Sequence, residues 1–224
     1  MESIVISIGG SVILSDDVNP SFFNKLKILL NKFSKKFKIF LVVGGGKTAR
    51  SYIKLGRALG LKESFLDEVG IDITRLNAKL LLKFLGVSNI KIPNTTIEAK
   101  GFKDSIVIMG GTTPGHSTDM VGAELAEITN ASKFIIATNV DGVYDKDPNI
   151  YENARLIKDI SIDKLIDTFG INWETAGKNI VIDGPALKII KEAKIPTYVL
   201  NGKRLDQLEN ALNNKDFLGT IIKI

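Results

Sequence analysis

Four stretches of this 224-residue chain gather glycine, hydroxyl and carboxylate residues directly after a short apolar run. Ile4-Val5-Ile6-Ser7-Ile8 leads into Gly9-Gly10-Ser11, and Ile39 through Val43 leads into Gly44-Gly45-Gly46-Lys47. Ile106 through Met109 leads into Gly110-Gly111-Thr112-Thr113-Pro114-Gly115-His116-Ser117-Thr118-Asp119, and Phe134 through Ala137 into Thr138-Asn139-Val140-Asp141-Gly142-Val143-Tyr144-Asp145-Lys146-Asp147-Pro148. The chemistry these stretches suit is the handling of anions. Glycine lets backbone N–H groups approach phosphate oxygens closely. Three successive glycines before a helix that starts near Thr48 and carries Arg50 add unpaired amides and the positive end of a helix dipole. A plain tight turn competes for Gly9-Gly10, whereas the triple glycine favours a phosphate cradle. Gly46-Lys47-Thr48 mimics the end of a P-loop, but that motif needs glycine where Leu41 stands, which excludes it.

The third stretch, rich in hydroxyls and turn formers, suits a loop wrapped around a polar ligand. Thr118 or Asp119 could instead cap the helix expected over Met120 through Asn130, so capping competes with a ligand role for both. His116 is the only histidine, and with no cysteine to share a metal site it reads as a loop hydrogen-bonder. In the fourth stretch Asp141-Gly142 and Asp147-Pro148 supply turns beyond the carboxyl end of a buried strand, where ligands of parallel sheets sit.

Such loops need a scaffold that aligns strand ends. Asn19-Pro20 offers a cap and a first-turn proline for a helix through about Phe33, with Phe22, Phe23, Leu26, Leu29 and Leu30 on its apolar face. Ser64 is the expected cap of a helix reaching Gly86, with Leu66, Val69, Ile73, Leu76, Leu80 and Phe84 as its core side. Further on, Ser161 through Phe169 reads as a short helix, Trp173 to Asp183 as loop or hairpin, and Pro185 through Ala193 as a helix. Thr197 through Leu200, Leu205 through Leu212 and Thr220 through Ile222 then read as strand, helix and strand. Alternation of this kind predicts an α/β fold, a three-layer α/β/α sandwich with a mostly parallel central sheet, in a single domain.

Composition narrows the functional classes. The hydrophobic share of 44% is enough for a sizeable core. The formal charge of +5 comes from lysines interspersed with acids, without the basic run interleaved with aromatics that a nucleic-acid binder would show. Absence of cysteine excludes disulfides and thiolate chemistry. Met1-Glu2-Ser3-Ile4 lacks the basic start of a signal peptide, and no apolar run approaches membrane-spanning length, so the expectation is a cytoplasmic protein with no membrane or nucleic-acid partner.

Thr138-Asn139-Val140-Asp141-Gly142-Val143-Tyr144 with Asp147-Pro148 resembles the nucleotide-binding signature of the amino acid kinase superfamily, most closely its archaeal-type UMP kinase branch. Ile8-Gly9-Gly10-Ser11, Val43 through Lys47, Asp67 through Asn77 and Gly110 through Asp119 match the same family in the same order, so the resemblance spans nearly the whole chain. It implies transfer of the γ-phosphoryl group of ATP to UMP, with Mg2+ on the ATP oxygens. The acceptor-binding part would cover roughly residues 1–130 and the ATP-binding part roughly 131–224.

Carried over residue by residue, the resemblance places Gly9, Gly10, Ser11, Gly46 and Arg50 along the ATP phosphates, and Thr138, Asn139, Tyr144 and Asp147 on the ATP nucleoside side. Gly45, Asp67, Thr112, Thr113, Pro114, Gly115, His116, Ser117 and Thr118 would meet UMP, and Asp119 would organise the cationic groups around the transferring phosphoryl. Many superfamily members carry a lysine where this chain has Ser7. Lys47 is the expected substitute as catalytic cation, with Arg50 as its competitor. The resemblance over Asp67 through Ala78 also implies a subunit interface, and hence a homo-oligomer, a homohexamer built as a trimer of dimers. Alternatives within the fold are kinases of acetylglutamate, carbamate, fosfomycin or isopentenyl phosphate. A non-catalytic nucleotide-binding or storage protein is the alternative of another class.

Overall fold

Buried aliphatic and aromatic residues fill the strands whose ends carry the glycine-rich stretches. In the structure, a computed structural model that describes residues 1–14, 19–87, 91–169 and 182–224, these are β1 (Glu2–Ile8), β2 (Phe37–Val43), β3 (Ile106–Met109) and β4 (Lys133–Thr138). With β5 (Asp159–Ser161), β6 (Thr197–Asn201) and β7 (Gly219–Lys223) they form one sheet in the order β3-β2-β1-β4-β6-β7-β5. All pairings are parallel except β6 with β7. The mostly parallel sheet is therefore as expected.

Strand alternation assigns the two faces. Ile4, Ile6 and Ile8 of β1 join Ile39, Leu41 and Val43 of β2 beneath α2 (Pro20–Phe33), the last turns of α4 (Glu63–Leu85) and α9 (Leu205–Leu212). Val5, Phe40, Val42 and Phe134 face the other way, against α6 (Thr118–Ile128) and α8 (Gly184–Ala193). Helices on both faces complete the three layers. The remaining helices are α1 (Gly10–Ile13), α3 (Gly46–Ala58), α5 (Thr96–Gly101) and α7 (Ile162–Phe169).

Four differences from the sequence reading have physical causes. Lys62, not Ser64, occupies the N-cap position of α4, without a side-chain cap, and Ser64 lies within the helix. Leu76, Leu80 and Phe84 are exposed, while Leu66, Ile73, Ala78, Leu81, Leu82 and Leu85 are buried. The helix is apolar on two stripes, and periodicity alone does not say which one meets the sheet. Helix α6 begins at Thr118 and is capped by Ser117, whose side chain accepts the Met120 amide at 2.9 Å. β5 escapes notice because only Ile160 of its three residues is buried. The loop or hairpin expected from Trp173 lies outside the described residues up to Ile182.

Candidate functional site

Along the sheet, β1 lies between β2 and β4, so the chain's connections run outward in opposite directions from that point. At such a reversal the loops beyond the strand ends part and leave a crevice. The crevice here is a cleft of about 1500 Å³, lined by residues that follow β1, β2, β3 and β4. A single drug-sized ligand takes roughly 300–1,000 Å³, so this cleft has room for two nucleotide-sized molecules.

Its floor is a backbone seam. A Cβ on Gly10 would stand 2.2 Å from the Gly46 nitrogen and 2.5 Å from the Gly44 oxygen, and one on Gly44 would stand 2.8 Å from the Gly10 nitrogen. Gly46 has φ +65, in the left-handed region that favours glycine. The turns after β1 and β2 thus interlock main chain to main chain and form a single floor. Buried Asn77 of α4 holds the second turn by donating to the Gly44 carbonyl at 2.9 Å. From this floor α3 rises with Gly46, Ala49, Arg50, Ile53, Lys54 and Arg57 lining the cleft. That spacing is one helical face. Lys47 falls off it and is exposed.

Asp119 stands opposite, in the first turn of α6. Its Oδ1 accepts the Ser7 hydroxyl at 2.6 Å, so the carboxylate is engaged with β1 while Ser117 does the capping. Gly122, one turn on, permits that approach: a Cβ there would meet the Phe134 ring at 2.6 Å and lie 3.6 Å from the Ser7 Cβ. Burial pushes the Asp119 pKa up to about 7; the Ser7 hydrogen bond opposes this and neighbouring Asp183 adds to it. Asp119 is half-buried and lines the cleft. A nearby cation would restore its charge.

Helix α4 secures the loop after β3. Thr74 Oγ1 accepts the Gly111 amide at 2.7 Å, and Arg75 donates to the carbonyls of Gly111 at 3.1 Å and Thr112 at 3.3 Å. Asp67 Oδ2 accepts the Gly115 amide at 3.0 Å, holding the loop tip. His116 donates its backbone N–H to Thr113 at 3.1 Å. Its Nδ1 lies 3.3 Å from Glu124 Oε1, with no hydrogen bond among the described residues. Across the cleft the Gly202 amide donates to the Thr138 carbonyl at 2.8 Å, and Asp147 Oδ1 accepts the Asn149 amide at 2.9 Å.

The cleft brings together Gly9, Gly10, Ser11, Gly45, Gly46, Arg50, Asp67, Thr113 through Thr118, Asp119, Thr138, Asn139, Tyr144 and Asp147. It does not bring in Lys47, nor Thr112, whose carbonyl is turned to Arg75. Sequence reasoning missed Lys54, Arg57, Glu63 and Lys164 on the walls, and Ser7, Thr74 and Asn77 as supports. The α3 stripe could have been found by following helical spacing from Arg50.

The family model described as "Amino acid kinase family" matches residues 2–201. A uridylate kinase of Methanobrevibacter smithii is 42% identical over 216 residues, 95% of this chain and 96% of that protein. One from Methanocaldococcus jannaschii is 45% identical over 206 residues, 89% of this chain and 90% of that protein. Among solved structures, uridylate kinase from Archaeoglobus fulgidus superposes with a TM-score of 0.85 at 39% identity, covering 98% of this chain and 99% of that one.

Proposed function

The chain belongs to the amino acid kinase family, and from that premise we propose that it transfers the γ-phosphoryl group of ATP to UMP, giving UDP and ADP in pyrimidine nucleotide synthesis. The observation that carries this reading is a single cleft with the hydroxyl-rich loop after β3 at one end, the Thr138 to Asp147 loop at the other, and paired glycine turns between. Likeness to archaeal uridylate kinases over nearly the full length supports it. UMP would lie against Gly45, Asp67 and Thr113 through Thr118, in an acceptor part covering roughly residues 1–130. ATP would run from Gly9, Gly10, Ser11, Gly46 and Arg50 to Thr138, Asn139, Tyr144 and Asp147, with its nucleoside in the part from 131–224.

A phosphate oxygen of UMP is already ionised, so no side chain need generate the nucleophile. It attacks the γ-phosphorus, the bond to the bridging oxygen of ADP breaks, and the charge spread over the transferring group must be held. Glycine amides of the floor and the Arg50 guanidinium supply that field from this chain. Magnesium, when bound with ATP, neutralises phosphate charge while keeping several of its waters. The donor chemistry on the cleft wall fits such an ion, because Asp119 is a hard oxygen donor whose charge is disfavoured where it stands. Asp119 would keep the cationic groups in register with the moving phosphoryl.

A homo-oligomer, arranged as a trimer of dimers, forms part of the same proposal. Phe65, Leu76 and Leu80 are exposed on α4, and the helix it packs against, α3, exposes Tyr52, Leu55 and Leu59. Such a patch marks an interaction surface. Cytoplasmic UMP and ATP are the substrates envisaged. Release of ADP should be followed across UMP, CMP, dUMP, acetylglutamate, carbamate, fosfomycin and isopentenyl phosphate. UMP is expected to give the highest kcat/KM, and faster turnover of acetylglutamate or isopentenyl phosphate would overturn the assignment.

A further inference from the structure

Ser117 and Asp183 join two helices from opposite parts of the cleft. The Ser117 hydroxyl accepts the Met120 amide at 2.9 Å, closing the first turn of α6, and donates its proton to Asp183 Oδ2. Asp183 Oδ1 in turn accepts the Ala186 amide at 2.8 Å and caps α8. An unbroken chain of hydrogen bonds therefore runs from the α8 N-terminus through a carboxylate and a hydroxyl to the α6 N-terminus. Behind it the two helices pack through Val121, Ala123, Ala186 and Ile190 in one core.

Ser117 lines the cleft and Asp183 does not. Ser117 is also where the loop after β3 ends. That loop is held at its start by Thr74 and Arg75, at its tip by Asp67, and at its end by Ser117, whose hydroxyl is tied both to the Met120 amide and to Asp183. Capping α8 does not require a carboxylate, since asparagine or serine caps as well as aspartate. A carboxylate does make a stronger acceptor for the Ser117 hydroxyl than a neutral group would. Burial disfavours the charge of Asp183, and the Ser117 hydrogen bond acts against that.

We propose that Asp183 is a positioning residue for the phosphoryl acceptor: by anchoring Ser117 it fixes the closing end of the Thr113 to Thr118 loop without touching substrate. The proposal rests on the acceptor role assigned to that loop above.

Asp183→Asn and Asp183→Ser each retain a capping oxygen while weakening or removing the acceptor for Ser117, so a folding failure in one leaves the other informative. At pH 8, where Asp119 is ionised, both should raise the KM for UMP about tenfold, as loss of a hydrogen bond to a charged group predicts. The KM for ATP and kcat should stay within about twofold. Amide hydrogen exchange in residues 113–118, measured without nucleotide, should become faster. An unchanged KM for UMP with only a lower Tm would overturn the proposal and leave Asp183 as a cap. So would a fall in kcat at unchanged KM. If the unsubstituted protein turned over no UMP, the acceptor reading would fail, and unaltered loop exchange would separately show that the link positions nothing.

Discussion

Ser7 Oγ lies 2.6 Å from Asp119 Oδ1, a contact between residues 112 positions apart that joins β1 to the first turn of α6. At residue 7 the chain puts a neutral hydroxyl, and that hydroxyl donates to a carboxylate. The hydrogen bond favours the ionised form of Asp119 against the burial that opposes it.

Ser7→Ala should therefore shift the acid limb of the kcat/KM profile to higher pH. In the free enzyme the limb is expected near the Asp119 pKa of about 7. Losing the hydroxyl leaves burial and Asp183 unopposed, so the limb moves up. The ionisation of UMP itself is common to both enzymes and cancels in the comparison. An unmoved limb would separate Ser7 from the titration.

Stability without nucleotide should fall as pH rises from about 4 to about 7. The folded-state pKa of Asp119 is raised above its unfolded value, so across this window the folded chain holds a proton that the unfolded chain has released. The slope contributed is up to about 1.4 kcal/mol per pH unit. Asp119→Asn, neutral throughout, should come closest to the unsubstituted protein at about pH 3.5, below the unfolded carboxyl's titration, and exceed it by the widest margin at about pH 8. Urea titrations of both at the two pH values provide the check.

Arg50→Ala should lower kcat by roughly 10²-fold or more, the scale for losing one preorganised electrostatic donor. Lys47→Ala should leave kcat near normal. Arg50 lies on the cleft stripe of α3 and Lys47 beside it. The opposite pattern in steady-state kinetics would restore Lys47 as the cation.

Leu76→Glu combined with Leu80→Glu should reduce the assembly to smaller species without unfolding it, because both side chains are exposed, at 64% and 55%. Light scattering should report a multiple of the 24.5 kDa chain for the unsubstituted protein, six chains for a hexamer, and a lower mass for the variant. Monomer in both would refute the interface.

The strands around the cleft were legible because β1 to β4 are continuous apolar runs that end in glycine or hydroxyl residues, a local signal. What was illegible depends on direction. Leu76 and Leu81 are equally apolar, and only the packing of α4 decides that the first is exposed and the second buried. Lys47 follows the glycines as a phosphate-binding lysine would, yet on α3 the residues that line the cleft are Gly46, Ala49, Arg50, Ile53, Lys54 and Arg57, a stripe found only by following the helix. Asp119 looked like a helix cap as readily as a functional acid, and its tie to a serine 112 residues earlier is invisible until the sheet is assembled.

The interlocked turns at Gly10, Gly44 and Gly46 also constrain how the protein can move. Main chain touching main chain, with no side chain to re-rotamerise, leaves no soft joint between the ends of β1 and β2. Motion that admits or releases nucleotides must therefore be sought in the rim, where Asp67 and Ser117 hold the Thr113 to Thr118 loop by single hydrogen bonds to the Gly115 amide and Asp183. The floor acts as an anvil and the rim as the moving jaw. Efforts to change which acceptor is phosphorylated have their freedom at the jaw.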